Sequence, residues 1–335
     1  MVKKVINNPS EVVQETIEGF LYANHYSYKQ IENITGIVRR EKKDKVGVLV
    51  GGGSGHEPLF LGLIGEGLSD GIALGNVFAA PTPNTIVEVA KAIDSGKGIL
   101  FVYGNYEGDI LNFDMAVELL ELEGIKVNTI RVSDDIASAP IERVEDRRGI
   151  SGDMFVIKIA GAAAERGLLL EEVTRITEKA NKYTNSLGVA LSSGTIPGEA
   201  EPTFTLAEDE IELGLGIHGE PGIERRKMMK ADELVDLMMD KLLDESNIDA
   251  SKEVCVLVNG LGSTTLMELL IINRRVGQVL EEKNIKIYDM DVDSYCTTQE
   301  MAGFSITLLE LDDELKGLYD DPAISPYYKK IKKDR

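Results

Sequence analysis

Short apolar segments alternate with stretches of helical periodicity along the first half of the chain. The pattern predicts strands at residues 46–50, 99–103 and 127–132, and helices at residues 84–95, 114–123, 155–166 and 170–183. Alternation of this kind is typical of βαβ units, in which helices cross over between parallel strands. The first half therefore predicts an α/β layer on a largely parallel sheet.

The second half follows a similar rhythm after a polar stretch at residues 181–186. It predicts helices at 231–243 and 265–281 and strands at 254–258, 285–290 and 304–309, followed by a frayed lysine-rich tail at 327–335. A chain of 335 residues exceeds the size at which one core usually keeps growing. We therefore predict two α/β domains, residues 1–183 and 184–335, each with a largely parallel or mixed sheet flanked by helices.

Charge and composition exclude several classes of protein. The net charge of −21 argues against a nucleic-acid or anionic-membrane partner, because phosphate binding needs clustered Lys and Arg. Apolar runs are too short to cross a bilayer, and Cys255 and Cys296 lack the spacing of metal ligands. We expect a cytoplasmic protein with no membrane association.

The most informative segment is the glycine-rich sequence GGGSGHEP at residues 51–58. It follows the predicted strand at 46–50, so it should open at the carboxyl edge of the sheet, where ligands bind in open α/β folds. Its glycines permit positive φ angles and close approach of backbone N–H groups to a ligand. The segment matches neither the Walker pattern nor the full dinucleotide pattern. Gly53, Ser54, Gly55 and His56 are therefore candidates for binding a small molecule.

Two further loops carry polar side chains. Asp109 ends the loop at 104–109, which follows the predicted strand at 99–103, and an aspartate there is either a turn residue or a partner of His56 in acid–base chemistry. His218 lies among glycines at 214–222, where it is either a solvent-facing side chain, a metal ligand, a general base or a nucleophile.

Other polar residues have simpler interpretations. His25 has aromatic neighbours and is expected to be held by packing, with no chemical role. Asp134 and Asp135 follow a predicted strand; adjacent carboxylates there are usually solvated, although they could bind Mg²⁺. We predict no metal site on this chain.

The motifs together resemble one known family. They are GGGSGHEP at 51–58, Phe78 with PTP at 81–83, NY at 105–106 with GDILNF at 108–113, RRG at 147–149, GAAAERG at 161–167, GIHGEPG at 216–222 and GFSITLL at 303–309. These blocks are similar to the substrate-binding K subunit of dihydroxyacetone kinase. The resemblance runs from about residue 3 to about residue 325.

The resemblance implies roles for individual residues. In that family the histidine that matches His218 bonds to the carbonyl carbon of dihydroxyacetone as a hemiaminal. The residues that match His56 and Asp109 serve the hydroxyl that receives phosphate. The chemistry suits the residue types, since an imidazole nitrogen adds reversibly to a ketone but not to glycerol.

The resemblance also implies partners. The chain shows no nucleotide motif, so we expect no cofactor on it; ADP and Mg²⁺ are expected on a separate L subunit, which an M subunit rephosphorylates from phosphoenolpyruvate. This is the phosphotransferase-system type of the kinase, and its K subunit is a homodimer.

One departure leaves the substrate open. Where the family usually has a lysine before Asn105, this chain has Gly104, and Glu107 replaces a small hydroxyl residue. The loss of a cation makes a four-carbon ketose such as erythrulose a second candidate substrate. A Q-type coactivator, which binds dihydroxyacetone and signals to a transcription factor, is the non-enzymatic alternative.

Overall fold

The computed structural model describes residues 3–331, which contain two six-stranded sheets. The first sheet has strands Tyr28–Gln30 (β1), Gly36–Arg39 (β2), Gly47–Ser54 (β3), Gly71–Val77 (β4), Ile99–Gly104 (β5) and Val127–Val132 (β6). Its order is β1-β2-β4-β3-β5-β6, and β4, β3, β5 and β6 run parallel. The helices of this half are Val12–Asn24 (α1), Pro83–Ile93 (α2), Glu107–Leu122 (α3), Asp153–Glu165 (α4) and Leu170–Lys182 (α5).

The second sheet is mixed. Its strands are Thr184–Ala190 (β7), Glu210–Leu213 (β8), Glu224–Lys227 (β9), Glu253–Gly260 (β10), Lys286–Asp293 (β11) and Gly303–Leu311 (β12), in the order β11-β10-β12-β7-β8-β9. Only the β10–β11 pair is parallel. This half also contains the helices Ala231–Ser246 (α6), Leu266–Glu282 (α7) and Asp313–Tyr319 (α8). A short hairpin of Ala323–Ile324 (β13) and Lys329–Lys330 (β14) comes after them. The α/β class with two flanked sheets is confirmed.

Some sequence expectations were wrong in detail. Strands β1, β2 and β4 were not predicted, and β4 is rich in small residues that have low β propensity. Residues 327–331 are not frayed, because β14 pairs with β13 and Lys330 is buried against Asp289. The rest of the predicted tail, residues 332–335, lies outside the described residues.

Helix α4 lies between the two sheets. One core cluster contains Val50 of β3, Ile157 of α4, and Leu257 and Leu309 of the second sheet. Small residues allow this close packing: a Cβ atom added at Gly161 would lie 2.4 Å from the backbone nitrogen of Leu68. The core is therefore continuous across both sheets, and the domain boundary after residue 183 stays a prediction.

Candidate active site

The glycine-rich segment folds tightly at the carboxyl end of β3. A Cβ atom at Gly53 would lie 2.8 Å from the Ala79 nitrogen, and Gly55 has a φ of 102°. Side chains are therefore disfavoured at both positions, and His56 is brought into the interior with only 2% of its surface exposed.

His56 has a fixed orientation. Its Nδ1 lies 2.8 Å from the carbonyl oxygen of Thr297, and its ring stacks on Phe78 at a centroid distance of 4.9 Å. A carbonyl oxygen can only accept, so Nδ1 carries the proton and Nε2 has a free lone pair. Burial, together with the charge of His218, lowers the pKa of His56 to about 3 against the opposing effects of Thr297 and Glu220. His56 is therefore neutral at physiological pH.

His218 has a different partner. Its Nδ1 donates to Oε1 of Glu220 at 3.0 Å, and the other carboxylate oxygen accepts the backbone N–H of His218 at 3.0 Å. Burial would raise the pKa of Glu220, but hydrogen bonding and the charges of His218 and Arg148 outweigh it and lower the pKa to about 2. Arg148 is in turn fixed by Asp135, at 2.8 Å. The Glu220 carboxylate therefore faces Nδ1 of His218.

The two histidines meet at their remaining nitrogens. Nε2 of His56 and Nε2 of His218 are 3.0 Å apart. Both Nδ1 atoms already hold a proton, so two neutral rings would place lone pair against lone pair. The contact is favourable only when one further proton lies between the two Nε2 atoms.

Asp109 approaches the same point from the first sheet. The sequence placed it on a loop, but α3 begins at Glu107, so Asp109 lies in the first helical turn with 8% of its surface exposed. Its Oδ1 has no hydrogen-bond partner among the described residues. Burial raises the pKa of Asp109 to about 7, against the opposing effects of His218 and a backbone hydrogen bond. A carboxyl with this pKa can take and release a proton near neutral pH.

The polar groups line one small cavity. Its wall includes the candidates Gly53, His56, Asp109 and His218, together with Leu59, Phe60, Gly104, Tyr106 and Asp153. Ser54 and Gly55 stand behind this wall: the Ser54 hydroxyl donates to the Gly75 carbonyl, and the Gly55 N–H donates to Glu57.

Sequence reasoning missed several residues of the site. Tyr106 contacts the His218 ring edge-on at 4.7 Å, and its hydroxyl donates to the Gly149 carbonyl. The Glu220 side chain could have been suspected from its position two residues after His218. Nothing in the sequence marked Thr297 or Asp153, because they come from segments far from the glycine-rich loops.

Other interpretations of polar residues were wrong. Asp134 and Asp135 are buried rather than solvated: Asp134 accepts the N–H groups of Ile150 and Gly152 before α4, and Asp135 binds Arg148. His25 is exposed rather than held by packing. Among the described residues, the only aromatic ring in contact with it is that of the neighbouring Tyr26. Across the same residues, no group of three or more His, Cys, Asp or Glu side chains is arranged to hold a metal ion.

Residues 3–331 also contain no helix that is both long and apolar enough to span a bilayer.

Comparison with known proteins identifies the family of the chain. The Dak1 domain matches residues 18–327. The chain is 45% identical to the dihydroxyacetone-binding subunit DhaK of PTS-dependent dihydroxyacetone kinase 2 from Listeria innocua, over 98% of this chain and 99% of that protein. It is 42% identical to the L-erythrulose kinase of Pectobacterium atrosepticum, over 97% of this chain but only 56% of that enzyme.

A solved structure, that of the dihydroxyacetone kinase operon co-activator DhaQ, has a TM-score of 0.88 and 30% identity, over 95% of this chain and 97% of that one.

Proposed function

Because the chain belongs to the family of dihydroxyacetone-binding K subunits of dihydroxyacetone kinase, we propose that it binds a short ketose covalently through His218 and presents a ketose hydroxyl for phosphorylation. The Nε2-to-Nε2 contact of 3.0 Å carries this proposal. It supports the proposal because two imidazole nitrogens, one to attack carbon and one to accept a proton, lie side by side in the wall of one small cavity.

The covalent step uses the proton held between the two rings. Nε2 of His218 passes its proton to Nε2 of His56 and attacks the carbonyl carbon of the ketose. The π electrons of the carbonyl move to its oxygen, which takes the proton from His56 and becomes the hemiaminal hydroxyl. His56 thus acts on the carbonyl oxygen, and the reacting hydroxyl is left to Asp109.

Glu220 positions His218 and stabilises the adduct. The N-substituted imidazole of the hemiaminal keeps its Nδ1 proton and carries a positive charge, and Glu220 faces that nitrogen at 3.0 Å. Hydrogen bonds between charged groups are about twice as strong as neutral ones. The carboxylate therefore favours the covalent state.

Asp109 is the base for phosphoryl transfer. Its pKa of about 7 suits a group that must accept the hydroxyl proton near neutral pH. Phosphoryl transfer depends chiefly on positioning and charge stabilisation. We propose that the phosphoryl group comes from a nucleotide-bearing L subunit and ultimately from phosphoenolpyruvate through an M subunit, as the PTS-dependent relatives suggest.

The covalent bond also explains selectivity. Glycerol has hydroxyls similar to those of dihydroxyacetone but no carbonyl for His218 to attack. Hydrogen bonds alone would separate these compounds poorly, whereas a bond to carbon separates them by chemistry.

Reconstitution tests the function. The protein is mixed with purified L and M subunits and phosphoenolpyruvate, and phosphate transfer to dihydroxyacetone, erythrulose and glycerol is measured. We expect a phosphorylated ketose with dihydroxyacetone and none with glycerol; phosphorylation of glycerol at an equal rate would contradict the covalent mechanism.

Two specific observations define the alternatives. The 42% identity to an L-erythrulose kinase and the absence of a side chain at Gly104 support a four-carbon ketose. The similarity to the co-activator DhaQ supports a sensor. Faster transfer to erythrulose identifies the first alternative, and tight ketose binding without any transfer identifies the second.

A further inference from the structure

A second carboxyl group faces the cavity beside Asp109. Asp153 is the first residue of α4, lines the cavity wall and has 1% of its surface exposed. Its Oδ1, like that of Asp109, has no hydrogen-bond partner within residues 3–331. A buried polar atom without a partner carries a desolvation cost that a ligand donor or acceptor would offset. The cavity therefore holds a polar group that lacks a partner until a ligand enters.

Asp153 is not required to cap its helix. Asp134 already accepts the N–H groups of Ile150 and Gly152, at 2.8 and 2.7 Å, and so satisfies the backbone that leads into α4. The continuous core across both sheets fixes the start of α4 at the cavity. Capping of the helix terminus therefore does not explain the carboxyl group at position 153.

The surroundings of Asp153 favour its protonated form. Burial raises the pKa of Asp153 well above its ordinary value, and the carboxylates of Asp134 and Asp109 raise it further. Both effects favour the protonated carboxyl, which has an O–H to donate. Two carboxyls in one site can act as acid and base when their surroundings favour different protonation states.

We propose that the Asp153 carboxylic acid donates a hydrogen bond to the ketose hydroxyl whose proton Asp109 accepts. A hydroxyl oxygen can accept one hydrogen bond while its own proton is donated to another group. Held from both sides, the hydroxyl has a defined direction for attack. The proposal rests on the proposed ketose-binding function and adds a specificity-determining residue to it.

Gly104 supplies no competing donor. It lines the same cavity and provides no side chain. A substrate hydroxyl therefore depends on donors from other positions of the wall, and the Asp153 carboxyl is one of them.

Binding affinities of two variants of similar size test the proposal. Dihydroxyacetone is titrated calorimetrically into the wild type, Asp153→Asn and Asp153→Leu. The Asn amide keeps a donor and has no charge, so we expect it to retain most of the affinity, within about threefold of the wild type. The Leu variant keeps volume but has no donor, so its affinity should fall about tenfold.

Several outcomes overturn the proposal. An unchanged affinity in Asp153→Leu means that the carboxyl does not contact the ketose, and an Asn variant as weak as the Leu variant means that a carboxylate rather than a neutral donor is needed. Asp153→Ala replaces the Leu variant if that protein fails to fold. Asp313→Leu is the control, because Asp313 begins α8 but is exposed and outside the cavity wall.

A double-mutant cycle tests whether Asp109 and Asp153 hold the same hydroxyl. Residues that share one partner show non-additive effects. We expect Asp109→Asn with Asp153→Leu to lose less affinity than the product of the single losses. Additive losses would place the two carboxyls on different substrate groups. A wild type that takes up no ketose overturns the proposed function itself, which none of the variant results can do.

Discussion

The loops that carry His56 and His218 hold the same side chain in opposite environments. His56 is buried, donates to the carbonyl oxygen of Thr297 and stacks on Phe78. His218 is partly exposed and donates to the carboxylate of Glu220. Their Nε2 atoms are 3.0 Å apart, so the two rings differ chiefly in the group that each Nδ1 contacts.

In the proposed mechanism one residue type supplies two functions. A neutral partner and deep burial keep His56 uncharged, which suits a group that accepts and returns a proton. A carboxylate faces Nδ1 of His218, which suits a nucleophile whose adduct is cationic. We therefore expect the partner of Nδ1 in each ring, rather than the place of the histidine in the sequence, to decide which histidine attacks.

Removal of His218 is expected to have the largest effect, because it eliminates one of the two histidines. His218→Ala has no nitrogen at the carbonyl carbon, so we expect complete loss of the ketose adduct in mass spectra recorded under native conditions. His25→Ala is the matched control, because His25 is exposed and outside the cavity wall. An adduct that survives in His218→Ala would assign the covalent bond to another residue.

Removal of the Asp109 carboxylate should leave both histidines in place, so that the ketose still binds but is no longer phosphorylated at the normal rate. We expect Asp109→Asn to bind ketose and to lower kcat by about 10²–10⁴-fold in the reconstituted assay. Asp114→Asn is the control, since Asp114 lies on the same helix and pairs with Arg131 at the surface.

The pH dependence of the wild type checks the same assignment. Burial raises the pKa of Asp109 to about 7, and only the deprotonated carboxylate can accept the hydroxyl proton. The rate should therefore fall as the pH is lowered through about 7. A rate that is flat between pH 6 and 8 would remove Asp109 from the proton transfer.

Replacement of Glu220 makes the surroundings of His218 resemble those of His56. Glu220→Gln keeps an oxygen that accepts from Nδ1 but removes its charge. The adduct then loses a charge-assisted hydrogen bond, and because the Glu220 side chain is 33% exposed, water compensates for part of the loss. We expect about tenfold weaker ketose binding. Glu224→Gln is the control, and an equal loss in that variant would show that the effect is not specific to His218.

The same variant has a signature in stability. The pKa of Glu220 is lowered to about 2, so its contribution to stability is present above the ordinary pKa of a glutamate and is lost as the pH falls toward 2. Acid unfolding between pH 4.5 and 2 should therefore be less steep in Glu220→Gln than in the wild type. Thermal denaturation at a series of pH values measures this difference.

The sequence identified the loops that line the cavity better than it identified the elements around them. Glycine clusters identified the loops of His56 and His218, because a backbone with positive φ or close contacts restricts residue choice locally. The parallel strands β3, β5 and β6 were found from apolar runs. Strand β4 was missed because its small residues have low strand propensity and are stabilised by tertiary packing.

The residues that distinguish the two histidines could not be predicted. Thr297 contributes a backbone carbonyl, which any residue could supply, and it reaches His56 from a loop 241 positions away. Asp153 lies in a helix whose burial depends on packing against both sheets. Local patterns identify the reactive groups, whereas long-range contacts set their charge.

The smallest expected effect concerns the wall beside His218. A Cβ atom at Gly104 would lie 3.2 Å from the Tyr106 ring. That ring contacts the ring of His218. Gly104→Lys should therefore shift Tyr106 by a few tenths of an ångström, add a donor for a substrate hydroxyl and reduce the space for a fourth carbon. Dihydroxyacetone should gain over erythrulose by about tenfold in kcat/KM. Gly277→Lys is the control, because within residues 3–331 no atom apart from its chain neighbours and the backbone of its own helix lies within 4 Å of a Cβ at Gly277. An unchanged ratio would show that position 104 does not choose between the ketoses, and the discrimination would then depend on side chains already in the wall, of which Phe60 and Asp153 are the next to change.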